Sequence, residues 1–368
     1  MVDLKPAIRA AARDSGFDLC GFAAAGPPPH GAYFLDWLAR GKAADMDYLE
    51  RGADKRLAPD LVLPGVRSII ALGIRYTPPP RPPVDWQHEL RGRIASYTLG
   101  RDYHDEIRKR LKRLAAQLRE LVPDVGHRIY VDSGPVLERD WAMQAGLGWF
   151  GRNTNLLHKQ HGSWFFLAEV LTTLELEPDA PVADHCGTCT TCLVQCPTQA
   201  LKPGYELDAR RCISYWTIEH RSVIPLEMRA GLGNWIFGCD VCQEVCPWNE
   251  KMRPPSPDDE LLTPYLPDLL ALDDDGFRER FRGSAVKRAK REGLARNVAV
   301  VLGNTGNPAA VPALAAALAA DPSPLVRGHA AWALGRLGGR EARAALERSR
   351  SGAEGFVADE VAAALDAG

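Results

Sequence analysis

The amino-acid sequence predicts a multidomain protein of the α+β class, and three observations carry that prediction. Over the first ~175 residues, stretches with helical spacing of apolar positions alternate with short apolar runs, the texture of mixed helix and sheet layers. Between Cys186 and Cys246 stand eight of the nine cysteines, seven of them in two runs that each end in Cys-Pro. Beyond the proline- and acid-rich stretch Met252 to Pro267, the chain turns to alanine-rich helical pattern with an internal repeat. The expected organisation is an α/β or α+β domain over 1–175, a small cysteine module over 176–255 and a linker with an all-helical segment over 256–368.

Each element has its own justification. Residues 4 to 15 read as an amphipathic helix, and Gly16 to Ala25 as a strand leading into the Gly26-Pro-Pro-Pro29 turn. A second helix is expected from about Tyr33 to Tyr48. Ser68 to Tyr76 is apolar and bounded by Pro64-Gly65 and Pro78-Pro-Pro80, which marks a buried strand. From Asp102 to Leu121, the positions Ile107, Leu111, Leu114, Leu118 and Leu121 share one helix face. His127 to Val131 reads as a strand, Val136 to Ala145 as a helix and Ser163 to Thr173 as a further strand. Near the C-terminus, Asn297 to Gly306 lines up 32 residues ahead of His329 to Gly338, and each is followed by an alanine-rich helix. That period fits only the short, HEAT-like variety of paired-helix repeat, which stacks into a solenoid with a binding face.

The cysteine spacing is the most specific chemical signal. Cys186, Cys189, Cys192 and Cys196-Pro197 follow the bacterial ferredoxin pattern, in which three close thiolates grip one cubane and the fourth reaches across to another. Cys239, Cys242 and Cys246-Pro247 form a second, shorter run, and Cys212 supplies its missing thiolate. Cys186, Cys189, Cys192 and Cys246 are thus expected to hold one 4Fe-4S cluster, and Cys196, Cys212, Cys239 and Cys242 the other. Two zinc ribbons would also use four cysteines each, but three cysteines at two-residue gaps crowd a tetrahedral ion. A disulfide framework suits small secreted domains instead. Cys20, between Leu19 and Gly21, reads as a small buried hydrophobe.

Composition excludes other classes. With 46% hydrophobic and 25% charged residues, the chain is an ordinary globular one, neither disordered nor fibrous. It opens without an apolar leader, and its longest apolar run, Ala309 to Ala320, is short and interrupted by Pro312, so a cytoplasmic protein that spans no membrane is expected. The net charge of −2 hides a basic segment: Phe277 to Arg296 carries eight Lys/Arg against two Glu. Lys287, Lys290 and Arg291 would fall at i, i+3 and i+4 of one helix. Such a face is either simply solvated or a phosphate-binding footprint.

Two patches in the N-terminal domain invite a chemical reading. Asp132 ends a strand at a Ser-Gly-Pro turn, where an aspartate either caps the following amides or serves as an acid. Gly146 to Asn155 is glycine-rich, and its backbone could approach a ligand closely. It follows a helix rather than a strand, so it is no dinucleotide fingerprint.

Gly100-Arg-Asp-Tyr-His104, Val131-Asp-Ser-Gly-Pro135, Ala145-Gly-Leu-Gly-Trp-Phe-Gly-Arg-Asn153 and Gly162-Ser-Trp-Phe-Phe-Leu167, with the eight cysteines and the C-terminal repeats, together resemble the epoxyqueuosine reductase family. The resemblance spans nearly the whole chain. It implies a cobalamin-binding reductase domain akin to that of reductive dehalogenases, a ferredoxin-like two-cluster module and HEAT-like repeats. The implied reaction reduces epoxyqueuosine to queuosine at the wobble position of a tRNA anticodon loop. Asp132 corresponds to the family's proton donor, and Arg56, Tyr97, Asn153 and Ser163 lie in segments that line the corrinoid. Arg221, Lys287, Arg288, Lys290, Arg291, Arg296 and Asn297 are the expected tRNA contacts, although Arg221 could equally form a structural ion pair. An external low-potential donor, such as a flavodoxin or ferredoxin system, and a monomeric chain are also expected. Neither His104 nor His158 is assigned as an axial ligand, since a lone histidine more often hydrogen-bonds structurally. The competing readings are a corrinoid reductive dehalogenase-like enzyme and a non-catalytic iron–sulfur carrier or tRNA-binding protein. The basic segment and repeats argue against the first, and the large domain before the cysteines against the second.

Overall fold

A computed structural model describes residues 3–78, 84–250 and 262–367. Most of the expected linker lies outside the described residues. The chain divides into two compact units that interleave along the sequence: residues 3–78, 101–210 and 241–250 in the first, and 84–100, 211–240 and 262–367 in the second. This division cuts across three consecutive segments, because each unit is assembled from separate stretches.

In the first unit, a four-stranded sheet carries the polar groups described below. Its strands are β1 (Leu19–Ala24), β2 (Ser68–Arg75), β3 (His127–Tyr130) and β4 (Phe165–Thr172). Their order is β1-β2-β4-β3, and every pairing is antiparallel, which makes the domain α+β rather than doubly wound. Both faces are covered. Ile70, Leu72 and Ile74 of β2 join Ala168 and Val170 of β4 against α1 (Lys5–Asp14) and α3 (Tyr103–Leu121). Ile69, Ala71 and Leu171 face the other way, onto Trp141 and Ala142 of α4 (Glu138–Gln144). Alternate residues of one strand thus serve two cores, which is why β2 reads as a continuous apolar run.

Helix α3 buries the stripe Ile107, Leu111, Leu114 and Leu118, and Asp102 caps it by accepting from His104 N–H at 3.1 Å. The helix expected over Tyr33–Tyr48 is shorter: α2 covers Gly31–Ala39, the chain turns at Gly41 with φ +64°, and Asp47–Arg51 forms a separate turn. Cys20 is half-buried rather than fully buried and packs against the core that α1 and α3 cover, its thiol pushed up to about 12 by desolvation.

The second unit is built on the predicted helix pairs, α5 (Lys290–Thr305), α6 (Val311–Ala320), α7 (Pro324–Leu337), α8 (Gly339–Arg350) and α9 (Gly355–Asp366). The two repeat copies found in the sequence occupy α5 and α7. These helices pack so closely that a Cβ at Gly303 would meet Ala333 at 2.8 Å. The single basic helix expected around Lys287 does not form. A 3-10 turn covers Ala285–Ala289, and Lys290, the first residue of α5, has φ +60°, so Lys287, Lys290 and Arg291 share no helical face.

Candidate functional site

Asp132 follows β3 with φ +55°, a left-handed conformation that few side chains other than Gly, Asn and Asp accept. Its carboxylate remains largely solvent-exposed and is gripped from one side. Tyr103 Oη donates to Asp132 Oδ2 at 2.5 Å, and His104 Nε2 lies 3.2 Å from the same oxygen. On the far side of the ring, His104 Nδ1 lies 2.8 Å from Oδ1 of the buried Asp102. The Asp132 backbone N–H donates to Glu138 Oε1 at 2.5 Å, which fixes the turn to the start of α4.

Behind this loop stand two carboxyl groups of unusual character. Burial, reinforced by the Asp132 charge, pushes Glu138 up to about 7. Glu169, in the middle of β4, is fully buried and raised well above the carboxylate range by burial and by the Glu138 charge. The Glu169 carboxyl group is paired with that of Glu138. Glu138 and Arg139 show surface to solvent, yet desolvation dominates the titration of both. Arg56 is buried, and burial lowers its pKa against the charges of Tyr48 and Glu138.

The first cysteine set comes together in the same unit. Cys186, Cys189, Cys192 and Cys246 line one cavity of about 280 Å³ with Arg152, Asn153, Leu157, His185, Pro247 and Trp248. The thiols are free, and Cys192 is pushed up to about 11 by burial and then by the neighbouring Cys246, Cys186 and Cys189. Among the described residues, no three His, Cys, Asp or Glu side chains converge closely enough to hold one metal ion. Four thiols around a space, rather than around a point, suit a cubane. Two buried N–H groups lie beside these thiols: Trp149 Nε1, which interacts with the Cys186 sulfur, and Arg152 Nε, which has no acceptor among the described residues, as expected beside an anionic cluster. The donor set and the cavity fit a 4Fe-4S cluster.

Of the second set, Cys196 and Cys242 belong to the first unit and Cys212 and Cys239 to the second. Ala200 N–H donates to Cys196 Sγ at 3.2 Å, and Asn155 Nδ2 to Cys242 Sγ at 4.0 Å. Such donors raise a cluster's potential by stabilising negative charge on sulfur.

Two of the expected corrinoid contacts also tie into the cysteine loop. Asn153 is buried, donates from Nδ2 to Cys242 O at 3.2 Å and lines the cluster cavity. Ser163 Oγ donates to Gln243 Oε1 at 2.8 Å, while Asn249 Nδ2 donates to Ser163 Oγ at 2.9 Å. Both side chains anchor the cysteine loop. Gly162 completes the clasp, since a Cβ there would stand 1.8 Å from Asn249 Oδ1. Tyr97 lies in the second unit, 6.3 Å from the Phe237 ring centroid.

The basic segment divides in the same way. Lys287, Arg288 and Lys290 are exposed, and Arg288 also grips Glu219 at 2.7 and 2.8 Å. Arg291, Arg296 and Asn297 are buried, which corrects their assignment as phosphate contacts. Arg291 forms a two-pronged ion pair with Asp321 at 2.8 and 2.9 Å. Arg296 donates to the carbonyls of Trp216, His220 and Ser222, and Asn297 to those of Thr217 and Ile236. These two residues hold the segment that follows Cys212 onto α5. Arg221 extends to within 3.9 Å of a Cβ built at Gly293, so it too runs beside that helix.

His104, Glu138 and Glu169 carry no role in the sequence reading. Signals were present for two of them. His104 stands two residues beyond a helix cap, and Glu169 is a lone carboxylate inside an apolar strand.

A four-thiol cavity in a ferredoxin-type cysteine frame, together with a carboxylate–imidazole site in the same compact unit, defines an iron–sulfur oxidoreductase. Family profiles match in three places: epoxyqueuosine reductase QueG (DUF1730) over residues 56–133, a 4Fe-4S double cluster binding domain over 185–249 and HEAT repeats over 282–366. The chain is 42% identical over 343 residues to the epoxyqueuosine reductase of Xanthomonas campestris pv. campestris, covering 91% of this chain and 97% of that one. It is 42% identical to the enzyme of Pseudomonas aeruginosa, covering 91% and 95%. It also superposes on an epoxyqueuosine reductase solved with an epoxyqueuosine-modified tRNA-Tyr stem loop, with TM-score 0.92, 31% identity and 99% and 98% of the two chains covered. A Bacillus subtilis epoxyqueuosine reductase, solved with its catalytic loop swung out of the active site, gives TM-score 0.90 at 30% identity, covering 99% and 98%. The chain belongs to the epoxyqueuosine reductase family.

Proposed function

We propose that this oxidoreductase reduces the epoxide of epoxyqueuosine to the alkene of queuosine in a tRNA anticodon loop, with Asp132 as the acid. The observation that carries the reading is the Asp132 carboxylate itself, exposed on a left-handed turn and held by Tyr103 and His104. Breaking an epoxide C–O bond develops an alkoxide, and a positioned carboxylic acid protonates it as it forms. Arg56, Glu138 and Arg139 interact through their charges beside Asp132, and such polar groups are in keeping with the corrinoid that the family resemblance implies. Cobalamin, when bound, supplies a reduced cobalt centre able to put electrons onto carbon, and the protein orients it. Cys186, Cys189, Cys192 and Cys246 would hold one cluster, with Cys196, Cys212, Cys239 and Cys242 holding the second.

The exposed Lys287, Arg288 and Lys290, with Arg221, are the proposed phosphate contacts. An anticodon loop is single-stranded, so its target base can be splayed out of the stack toward an acid. The reading keeps an external low-potential electron donor, a monomeric chain and a cytoplasmic location. No helix among the described residues is long and apolar enough to cross a membrane. It also keeps three functional segments, 1–175, 176–255 and 256–368, which the three profile matches support.

The test is Asp132→Asn. Turnover of an epoxyqueuosine-containing stem loop should fall by roughly two to four orders of magnitude, the range for losing a general acid, with iron content and cobalamin binding retained. Near-wild-type turnover would falsify the acid assignment.

A further inference from the structure

Converting an epoxide to an alkene breaks both C–O bonds and forms one C–C π bond. Two electrons enter, and the oxygen departs as water after taking up two protons. The reduced clusters account for the electrons. A single carboxyl group holds one proton, so Asp132 must be reloaded within one turnover.

We propose, on the reading given above, that His104 is the positioning residue that reloads Asp132, along the chain Asp102–His104–Asp132. The geometry singles it out. His104 Nε2 stands 3.2 Å from the Asp132 oxygen that also receives Tyr103, and its Nδ1 stands 2.8 Å from Asp102 Oδ1. The other neighbours of Asp132 are poor sources. A tyrosine hydroxyl has a pKa of about 10 and gives up its proton reluctantly near neutrality. Glu138 binds the Asp132 backbone N–H rather than its carboxyl group. Asp102 is fixed at the cap of α3, so the imidazole is held between two carboxylates in one orientation, as in acid–base sites where a buried aspartate sets the tautomer.

The groups facing His104 are Asp102 and Tyr103 from the start of α3 and Asp132 from the loop after β3. The Tyr103 ring stacks on it at 4.1 Å. The hydrogen bond to Asp132 raises the imidazole pKa above its ordinary value, and Asp102 adds to this, against an opposing contribution from burial. The ring therefore holds its proton more firmly than an ordinary histidine does. Activity should fall as pH rises through this elevated pKa.

His104→Gln tests the relay, because glutamine can keep an N–H near Asp132 but carries no titrating proton. The expected result is a loss in kcat of about tenfold or more, KM for the modified stem loop unchanged within about twofold, and disappearance of the alkaline limb assigned to the ring. Asp102→Asn keeps a good helix cap and should move that limb to lower pH. Histidine-ring ¹⁵N NMR of the cluster- and cobalamin-loaded protein gives a readout independent of turnover. The signal missing in His104→Gln should titrate above the ordinary histidine value, and lower in both Asp132→Asn and Asp102→Asn. A His104→Gln enzyme with wild-type kcat and pH profile overturns the relay, as does a ring unaffected by either carboxylate. If Asp132→Asn is inactive while His104→Gln is normal, only the relay fails. If Asp132→Asn is active, the proposed function fails first.

Discussion

The loop at Asp132 and the start of α5 both carry charged side chains among apolar elements, but they treat them in opposite ways. At Arg296 and Asn297, the side chains are sealed inside and aimed at fixed backbone carbonyls. At Asp132, the carboxylate is left accessible on a left-handed turn, gripped by groups that can themselves lose or gain protons, with the buried Glu169 carboxyl group behind it. A charge whose partners are immobile carbonyls can only hold a shape. One whose partners titrate can pass a proton on. The difference separates scaffold from chemistry more sharply than residue type does, since both regions would score alike as charged.

The largest expected effect is on the scaffold side. Arg296→Ala removes donors from buried carbonyls and should cost roughly 3–5 kcal/mol in chemical denaturation. A loss below about 1 kcal/mol would mean that the buried guanidinium is not structural after all. Next comes Asp132→Asn, whose kinetic loss should be accompanied by almost no change in stability. If this variant unfolds as readily as Arg296→Ala, the contrast between the two regions breaks down.

A subtler effect concerns Glu169. Its folded pKa is raised, so it stabilises the fold while protonated, and that contribution fades as pH climbs from the ordinary glutamate value toward the raised one. Glu169→Gln should therefore raise the melting temperature at pH 8 but hardly at pH 5. An equal change at both pH values would show that Glu169 does not titrate alone. The smallest effect on stability, within about 0.5 kcal/mol, is expected from combined alanine substitution of Lys287, Arg288 and Lys290. Binding of the tRNA stem loop should nonetheless weaken, with its salt dependence flattened by about one unit of slope per lost phosphate contact. Unchanged binding at several salt concentrations would remove the basic segment from the docking surface.

Much of this was legible in the sequence, for identifiable reasons. The cysteine sets announce themselves because ligand spacing is itself the signal, and the sheet and repeats because burial imposes a period. Less visible was which side of a helix a charge would face. Arg291, Arg296 and Asn297 look like the exposed Lys287 until α5 is seen to be covered nearly all round, through Val298, Val300, Val301 and Leu302. The unbroken apolar run after Asn297 was the available hint. Asn153 and Ser163 were placed near the correct loop, but their hydrogen bonds connect segments some 80 to 90 residues apart and leave no local pattern. His104 was visible only as a lone histidine, because its two carboxylates converge through the antiparallel sheet and the α3 cap rather than through spacing alone.

The left-handed backbone at Asp132 also limits which substitutions this position can explore. Glutamate would keep the acid, but its longer side chain gains nothing locally from that conformation, whereas aspartate can hydrogen-bond nearby backbone groups. Asparagine satisfies the turn and loses the proton. Glycine relaxes the turn and loses both. The shape of the chain and the demands of the reaction therefore filter residue 132 independently, and of the two acidic side chains aspartate alone passes both filters with ease.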